Sequence, residues 1–171
     1  MRLSRFSFED MVLIGFYDDN MVIPIDQAAE SYSRDTGEEL LIPSTEDLLD
    51  LLPPDGASHA LVRDLYKWVS ELDVFARNEL TIPTTEVRLL VPIPSPPKLL
   101  FLAGNYAKHI AERGGSVAER QETFPYVFLK PPSTTLTHPG DPVVVPQISP
   151  HEIDWECELG VVIGRRCRKV S

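Results

Sequence analysis

Apolar runs and polar breaks alternate along the chain, and their periods predict short elements. MVLIGFY (11–17) and MVIPID (21–26) flank the polar turn Asp18-Asp19-Asn20, the mark of a β-hairpin. Ser44-Thr45-Glu46-Asp47 opens a short helix that Pro53-Pro54 stops. Over residues 58–77, Leu61, Leu65, Trp68, Leu72 and Phe75 recur at three- and four-residue steps. That spacing predicts a helix with these side chains in the core. Together these elements describe a small α+β domain with no evident chemistry.

The pattern changes beyond PIPSPP (92–97). Each proline there fixes its own φ and extends its predecessor, which makes a stiff connector. We place a domain boundary at it, between 1–97 and 98–171. LLFLAG (99–104) reads as a buried strand ending at Gly104, and NYAKHIAERGG as a short helix stopped by Gly114-Gly115. FPYVFLK (124–130) reads as a strand and TTLTHPGDPVVVP as a turn plus strand. DWECELGVVIG (154–164) reads as a long strand that becomes fully apolar. Few helices and many proline-punctuated strands predict a mixed, curved sheet rather than a doubly wound one.

Composition narrows the function. The chain has 171 residues, 43% of them apolar, enough for a core without staples. Its net charge of -10 disfavours binding to nucleic acid or to anionic lipid. The acidity sits in the first part: residues 1–97 hold 7 Lys+Arg against 18 Asp+Glu, and residues 98–171 hold 9 against 8. No apolar stretch approaches a membrane span, and MRLSRFSFEDM has acidic residues where a secretory signal needs an apolar stretch. We therefore expect a soluble, cytoplasmic protein. Cys157 and Cys167 are too few for a disulfide framework. G-x-G-x-x-G after a strand, P-loop, H-E-x-x-H and G-x-S-x-G motifs are missing.

Three constellations could carry chemistry. In a strand, Asp154, Glu156 and Glu158 share one face and Trp155, Cys157 and Leu159 the other. Carboxylates crowded near a core repel one another and resist desolvation, and a hard cation relieves both costs. Oxygen donors suit Mg²⁺, Mn²⁺ or Ca²⁺ rather than zinc. The same spacing also fits a solvated sheet edge. On a helix, His109 and Glu112 lie at i,i+3, where a carboxylate can orient an imidazole for general-base work. An exposed pair without a role reads the same way. Lys130, closing an apolar strand, suits either an anionic substrate or plain surface. His138 and His151 fall in loops without an assigned role. Four cations in Arg165-Arg166-Cys167-Arg168-Lys169 read as a solvated strand end.

In order and spacing, FLAGNYAKHIAE, FPYVFLKP, TTLTHPGDPVVVP and DWECELGVVIGRRCR resemble the fumarylacetoacetate hydrolase family over about Lys98 to Ser171. The branch is similar to the fumarylacetoacetate hydrolase domain-containing proteins, among them acylpyruvate hydrolases, oxaloacetate decarboxylases and hydroxymuconate-type isomerases. The resemblance implies an α+β chain with a mixed β-roll of the fumarylacetoacetase C-terminal-like type, here partial, behind a small N-terminal cap domain. It implies a Mg²⁺ or Mn²⁺ ion held by three carboxylates, two of them Glu156 and Glu158. It implies His109 as base beside Glu112, on a lid that closes over substrate, with Tyr106 and Lys130 as substrate-binding candidates. The implied reaction cleaves a C–C bond in a β-dicarbonyl or 2-oxo acid through a metal-stabilised enolate. Decarboxylation and isomerisation are alternative outcomes, and the implied assembly is a homodimer. The family's third ligand is an aspartate downstream of the E-x-E. We therefore expect a chain truncated within the catalytic domain, with Asp154 as a substitute oxygen ligand and an inactive fragment or binding module as the alternative reading.

Overall fold

The computed structural model describes residues 1–43, 47–52, 57–112, 114 and 126–170. By its internal contacts the chain divides into two units, Met1–Ile93 with His138–Ser171, and Pro94–Thr137. The architecture is α+β, and the strand pairs among the described residues are antiparallel.

The first unit is built on a five-stranded sheet. Strands β1 (Leu3–Phe8), β2 (Met11–Tyr17) and β3 (Met21–Pro24) follow one another as hairpins. The β1–β2 loop is Glu9-Asp10, and both residues have positive φ, 47° and 63°. Two left-handed residues are what a tight hairpin with the native twist requires. The β2–β3 loop is held by Asp18, whose carboxylate accepts from the Asn20 and Met21 amides at 3.0 and 2.9 Å. This loop is the turn expected from the sequence.

The chain then turns directly into helix α1 (Ile25–Thr36), so the expected strand through Asp26 ends two residues sooner. Pro24 opens the helix and Gly37, at φ 75°, closes it with its N–H on the Ser33 carbonyl at 3.0 Å. A left-handed glycine is the usual stop. The short helix expected after Ser44 is a 3-10 turn, Leu48–Leu51, capped by Asp47 on the Leu49 amide at 2.9 Å. Its expected start at Ser44 and stop at Pro53-Pro54 lie outside the described residues.

The long helix expected over 58–77 is two helices, α2 (Ala57–Glu71) and α3 (Val74–Glu79). Asp73 breaks it by capping the Ala76 amide at 2.9 Å, because its short carboxylate satisfies an amide at the start of a new helix. The buried face of α2 is Val62, Leu65 and Val69, with Leu61, Trp68 and Leu72 half-buried beside it. Phe75 is 77% exposed and leaves the expected core stripe, since the break at Asp73 resets the helical phase. Short strands β4 (Ile82–Pro83) and β5 (Arg88–Leu90) complete the sheet in the order β4-β3-β2-β1-β5.

One core joins Ile14, Phe16 and Ile23 of the sheet to Ile25 and Ala28 of α1, Leu48 and Leu51, and the α2 face. Tyr32 of α1 meets Trp68 edge-on at 5.5 Å, and the Trp68 indole donates to Asp35 at 3.3 Å. A smaller cluster on Phe6, Val22 and Ile82 also forms.

The second unit holds β6 (Leu100–Ala103), α4 (Ala107–Glu112), β7 (Tyr126–Leu129) and a short helix α5 (Pro132–Thr135). The two strands pair antiparallel from Leu100↔Leu129 to Ala103↔Tyr126. The expected strand 99–104 is present but not buried: Leu100 and Leu102 stand exposed. Two strands make too thin a sheet to enclose an apolar face. Gly115, Phe124 and Pro125 lie outside the described residues.

Two further expected strands do not form. Val143–Val145 and residues 154–164 take neither strand nor helix, and their large apolar side chains are exposed. A strand exists only against a hydrogen-bonding neighbour, and β-branched composition supplies none. Among the described residues, no helix is long and apolar enough to cross a membrane.

Candidate active site

In the second unit, β6 delivers the chain to Gly104, whose φ of 65° sets a sharp exit that any Cβ would strain. Helix α4 starts within three residues of it, and the Ile110 amide donates to the Tyr106 carbonyl at 3.1 Å. One turn of helix puts His109 and Glu112 side by side. His109 Nδ1 stands 3.6 Å from Glu112 Oε2, a charge-pairing distance just beyond hydrogen-bond length. The imidazole is the more sheltered partner, at 37% side-chain exposure against 73% for the carboxylate. An imidazole beside a carboxylate can be oriented by it and can accept a proton.

Lys130 follows β7 directly, and its amide extends the ladder by donating to the Leu99 carbonyl at 3.2 Å. Its ammonium lies 4.4 Å from the Phe101 ring centre and 6.0 Å from that of Phe128. The two rings stack at 5.4 Å across the strands. The aromatic faces hold the cation by charge–quadrupole attraction, which leaves its N–H donors available for an anion. Tyr106 is partly exposed at the head of α4.

Glu156 and Glu158 belong to the first unit. Both are exposed on the irregular segment after Ile153, together with Asp154, whose carboxylate accepts from the Trp155 amide at 2.8 Å. The expected alternation of strand faces does not apply, because no strand forms. The desolvation argument for a cation does not apply either, because Trp155 is 85% exposed and its neighbours are exposed as well. Two carboxylates remain oxygen donors of the kind a hard cation takes. Among the described residues, no group of three or more His, Cys, Asp or Glu side chains is placed to hold a metal ion.

One cluster escaped sequence reasoning. Arg88 donates to Asp141 at 2.7 Å, and the Val91 amide donates to His138 Nδ1 at 2.9 Å. The Arg88 guanidinium holds the Asp141 carboxyl below the usual carboxylate range. No local signal links partners about fifty positions apart; only the partners' ionisable chemistry hinted at a role. Cys157 and Cys167 are both exposed thiols.

Residues 98–171 match the family model described as fumarylacetoacetate (FAA) hydrolase C-terminal. The chain is 43% identical over 89 residues to protein Rv2993c of Mycobacterium tuberculosis, covering 52% of this chain and 31% of that one. It is 32% identical over 94 residues to an oxaloacetate tautomerase, mitochondrial fahd2, of Xenopus laevis, covering 55% and 28%. It is 37% identical over 118 residues to a 2,4-didehydro-3-deoxy-L-rhamnonate hydrolase of a Sphingomonas species, covering 64% and 39%. The chain thus spans roughly a third of the length of these curated relatives. The likeness to the fumarylacetoacetate hydrolase family rests on residues 98–171.

Proposed function

We propose that the protein acts on a small 2-oxo or β-dicarbonyl acid, cleaving a C–C bond as a hydrolase or lyase. The observation that carries this reading is the His109–Glu112 pair, 3.6 Å apart on α4, within the segment that matches the family. Two relatives support it by name, an oxaloacetate tautomerase and a 2,4-didehydro-3-deoxy-L-rhamnonate hydrolase. Oxaloacetate is a 2-oxo acid whose carbon between the carbonyls loses a proton readily, so one base suits both enolisation and cleavage. Tautomerisation is therefore the second reading, favoured by the first of these relatives.

In either case His109 takes the proton, from water for hydrolysis or from carbon for tautomerisation. Glu112 orients the imidazole and balances the charge it gains. Lys130, held over Phe101 and Phe128, pairs with a substrate carboxylate, and the Tyr106 hydroxyl adds a hydrogen bond. Glu156 and Glu158 would hold a Mg²⁺ or Mn²⁺ ion, which when bound would supply Lewis-acid chemistry. We extend the β6–β7 pair to a mixed β-roll and the assembly to a homodimer on the same family grounds.

The test is turnover of oxaloacetate and of an acylpyruvate, followed by loss of enol absorbance with Mg²⁺ and with chelator. Activity should require the ion. His109→Ala should lower kcat by about 10²- to 10⁴-fold while Mg²⁺ binding, read by calorimetry, stays at the wild-type level. A wild-type rate in His109→Ala removes the base assignment. No turnover of either substrate, with Mg²⁺ bound, removes the enzyme reading.

A further inference from the structure

The turn from His138 to Asp141 carries contacts that the proposed chemistry does not use. It closes on itself: the Asp141 amide donates to the His138 carbonyl at 3.1 Å, and the His138 amide faces Asp141 Oδ2 at 3.4 Å. It is also fastened to the end of β5 at two points. Arg88 donates to Asp141 Oδ1 at 2.7 Å, and the Val91 amide donates to His138 Nδ1 at 2.9 Å. Val91 is the residue at which the chain leaves the sheet for the proline connector.

The two fastenings differ in chemistry. Guanidinium keeps its charge at every relevant pH, and Arg88 holds the Asp141 carboxyl below the ordinary carboxylate range by stabilising its anion. The imidazole bond has no such permanence. To accept from Val91, Nδ1 must carry a lone pair, so His138 is neutral with its proton on Nε2. Imidazolium carries N–H at both nitrogens and would aim a donor at a donor. Among the described residues, the charged groups at this turn are Asp141, which faces His138, and Arg88 of β5, which pairs with Asp141. A protonated His138 would in turn stabilise the Asp141 anion, so one fastening strengthens as the other is lost.

We propose that His138 is a proton-sensitive latch on the exit of β5. Protonation releases the Val91 amide while Arg88–Asp141 stays closed, so the junction opens about that ion pair. The proton is taken from solvent at Nδ1 and returned there on closure.

The experiment is NMR on the ¹⁵N-labelled chain. Imidazole ¹⁵N shifts report the His138 tautomer, and hydrogen exchange reports protection of the Val91 amide. At neutral pH, Nδ1 should be unprotonated. As the imidazole titrates, Val91 protection, corrected for intrinsic exchange, should fall about tenfold relative to amides of the β1–β2 ladder. His138→Asn places a non-titrating carbonyl oxygen near the Nδ1 position and should leave Val91 protected throughout. A proton on Nδ1 at neutral pH overturns the latch. So does protection of Val91 that ignores the imidazole titration, or the same pH dependence in His138→Asn. Should that variant fail to fold, the wild-type tautomer and exchange profile decide alone.

Discussion

At Gly15 the sheet leaves no room for a side chain. A Cβ there would meet the Ile23 carbonyl oxygen at 2.6 Å and the Phe6 ring at 2.9 Å. The oxygen is backbone in a paired strand and cannot swing aside. Gly15→Ala should therefore destabilise the first unit by about 1–3 kcal/mol, read as a lower urea midpoint. The candidate site has single-residue tests as well. If Glu156 and Glu158 hold the ion, replacing either by Gln removes a charged oxygen donor and should weaken Mg²⁺ binding by about tenfold or more. Their exposed, irregular setting means that unfolding midpoints should barely move. Unchanged Mg²⁺ affinity in both variants would place the ion elsewhere. The sequence showed these carboxylates and their donor chemistry, because residue type alone carries it. It did not show their openness, since burial depends on which other segments arrive.

Elements followed local rules where local chemistry decides. The β2–β3 hairpin was legible because Asp18 makes its own turn bonds. The His109–Glu112 pairing was legible because a single helical turn fixes it. The β1 strand went unread: its turn is Glu9-Asp10 without a glycine, so no punctuation marked it. The helix expected over 58–77 overran its end because the apolar spacing continues through Phe75, whereas one cap at Asp73 outweighs that spacing. Asp73→Ala should cost about 1 kcal/mol through the lost bond to the Ala76 amide. Phe75→Ser should stay within about 0.5 kcal/mol, as an exposed position does. Chemical denaturation of both variants checks the pair, and a large loss in Phe75→Ser would return that ring to a core.

For the whole molecule, acid behaviour follows from the Arg88–Asp141 contact. The Asp141 carboxyl is lower in the folded chain than its ordinary value of 3.8. The unfolded chain thus binds its proton first as pH falls. The stabilisation is fully present above 3.8, declines below it, and is lost once pH falls through the lower folded value. Arg88→Ala should raise the Asp141 titration toward the ordinary carboxylate range, which the side-chain carboxyl ¹³C shift reports. An unmoved titration would mean that the guanidinium is not the cause. The contact links positions 53 residues apart, and it helps gather His138–Ser171 with Met1–Ile93 rather than with the segment between.

By itself the sequence determined whatever is encoded within a few residues or by residue type. That covers the hairpin at Asp18, the α2 helix, the glycine exit at Gly104, the i,i+3 dyad, and the ordered motifs by which residues 98–171 match the fumarylacetoacetate hydrolase model. Only the tertiary structure decided which β-prone segments became strands. LLFLAG found a partner in β7, while residues 154–164, apolar toward their end, did not pair. The physical reason is that a helix satisfies its own backbone, whereas a strand borrows its hydrogen bonds from distant chain. The clip at Val91, His138, Arg88 and Asp141 belongs to the same class, because it forms only once the fold has brought the two stretches together.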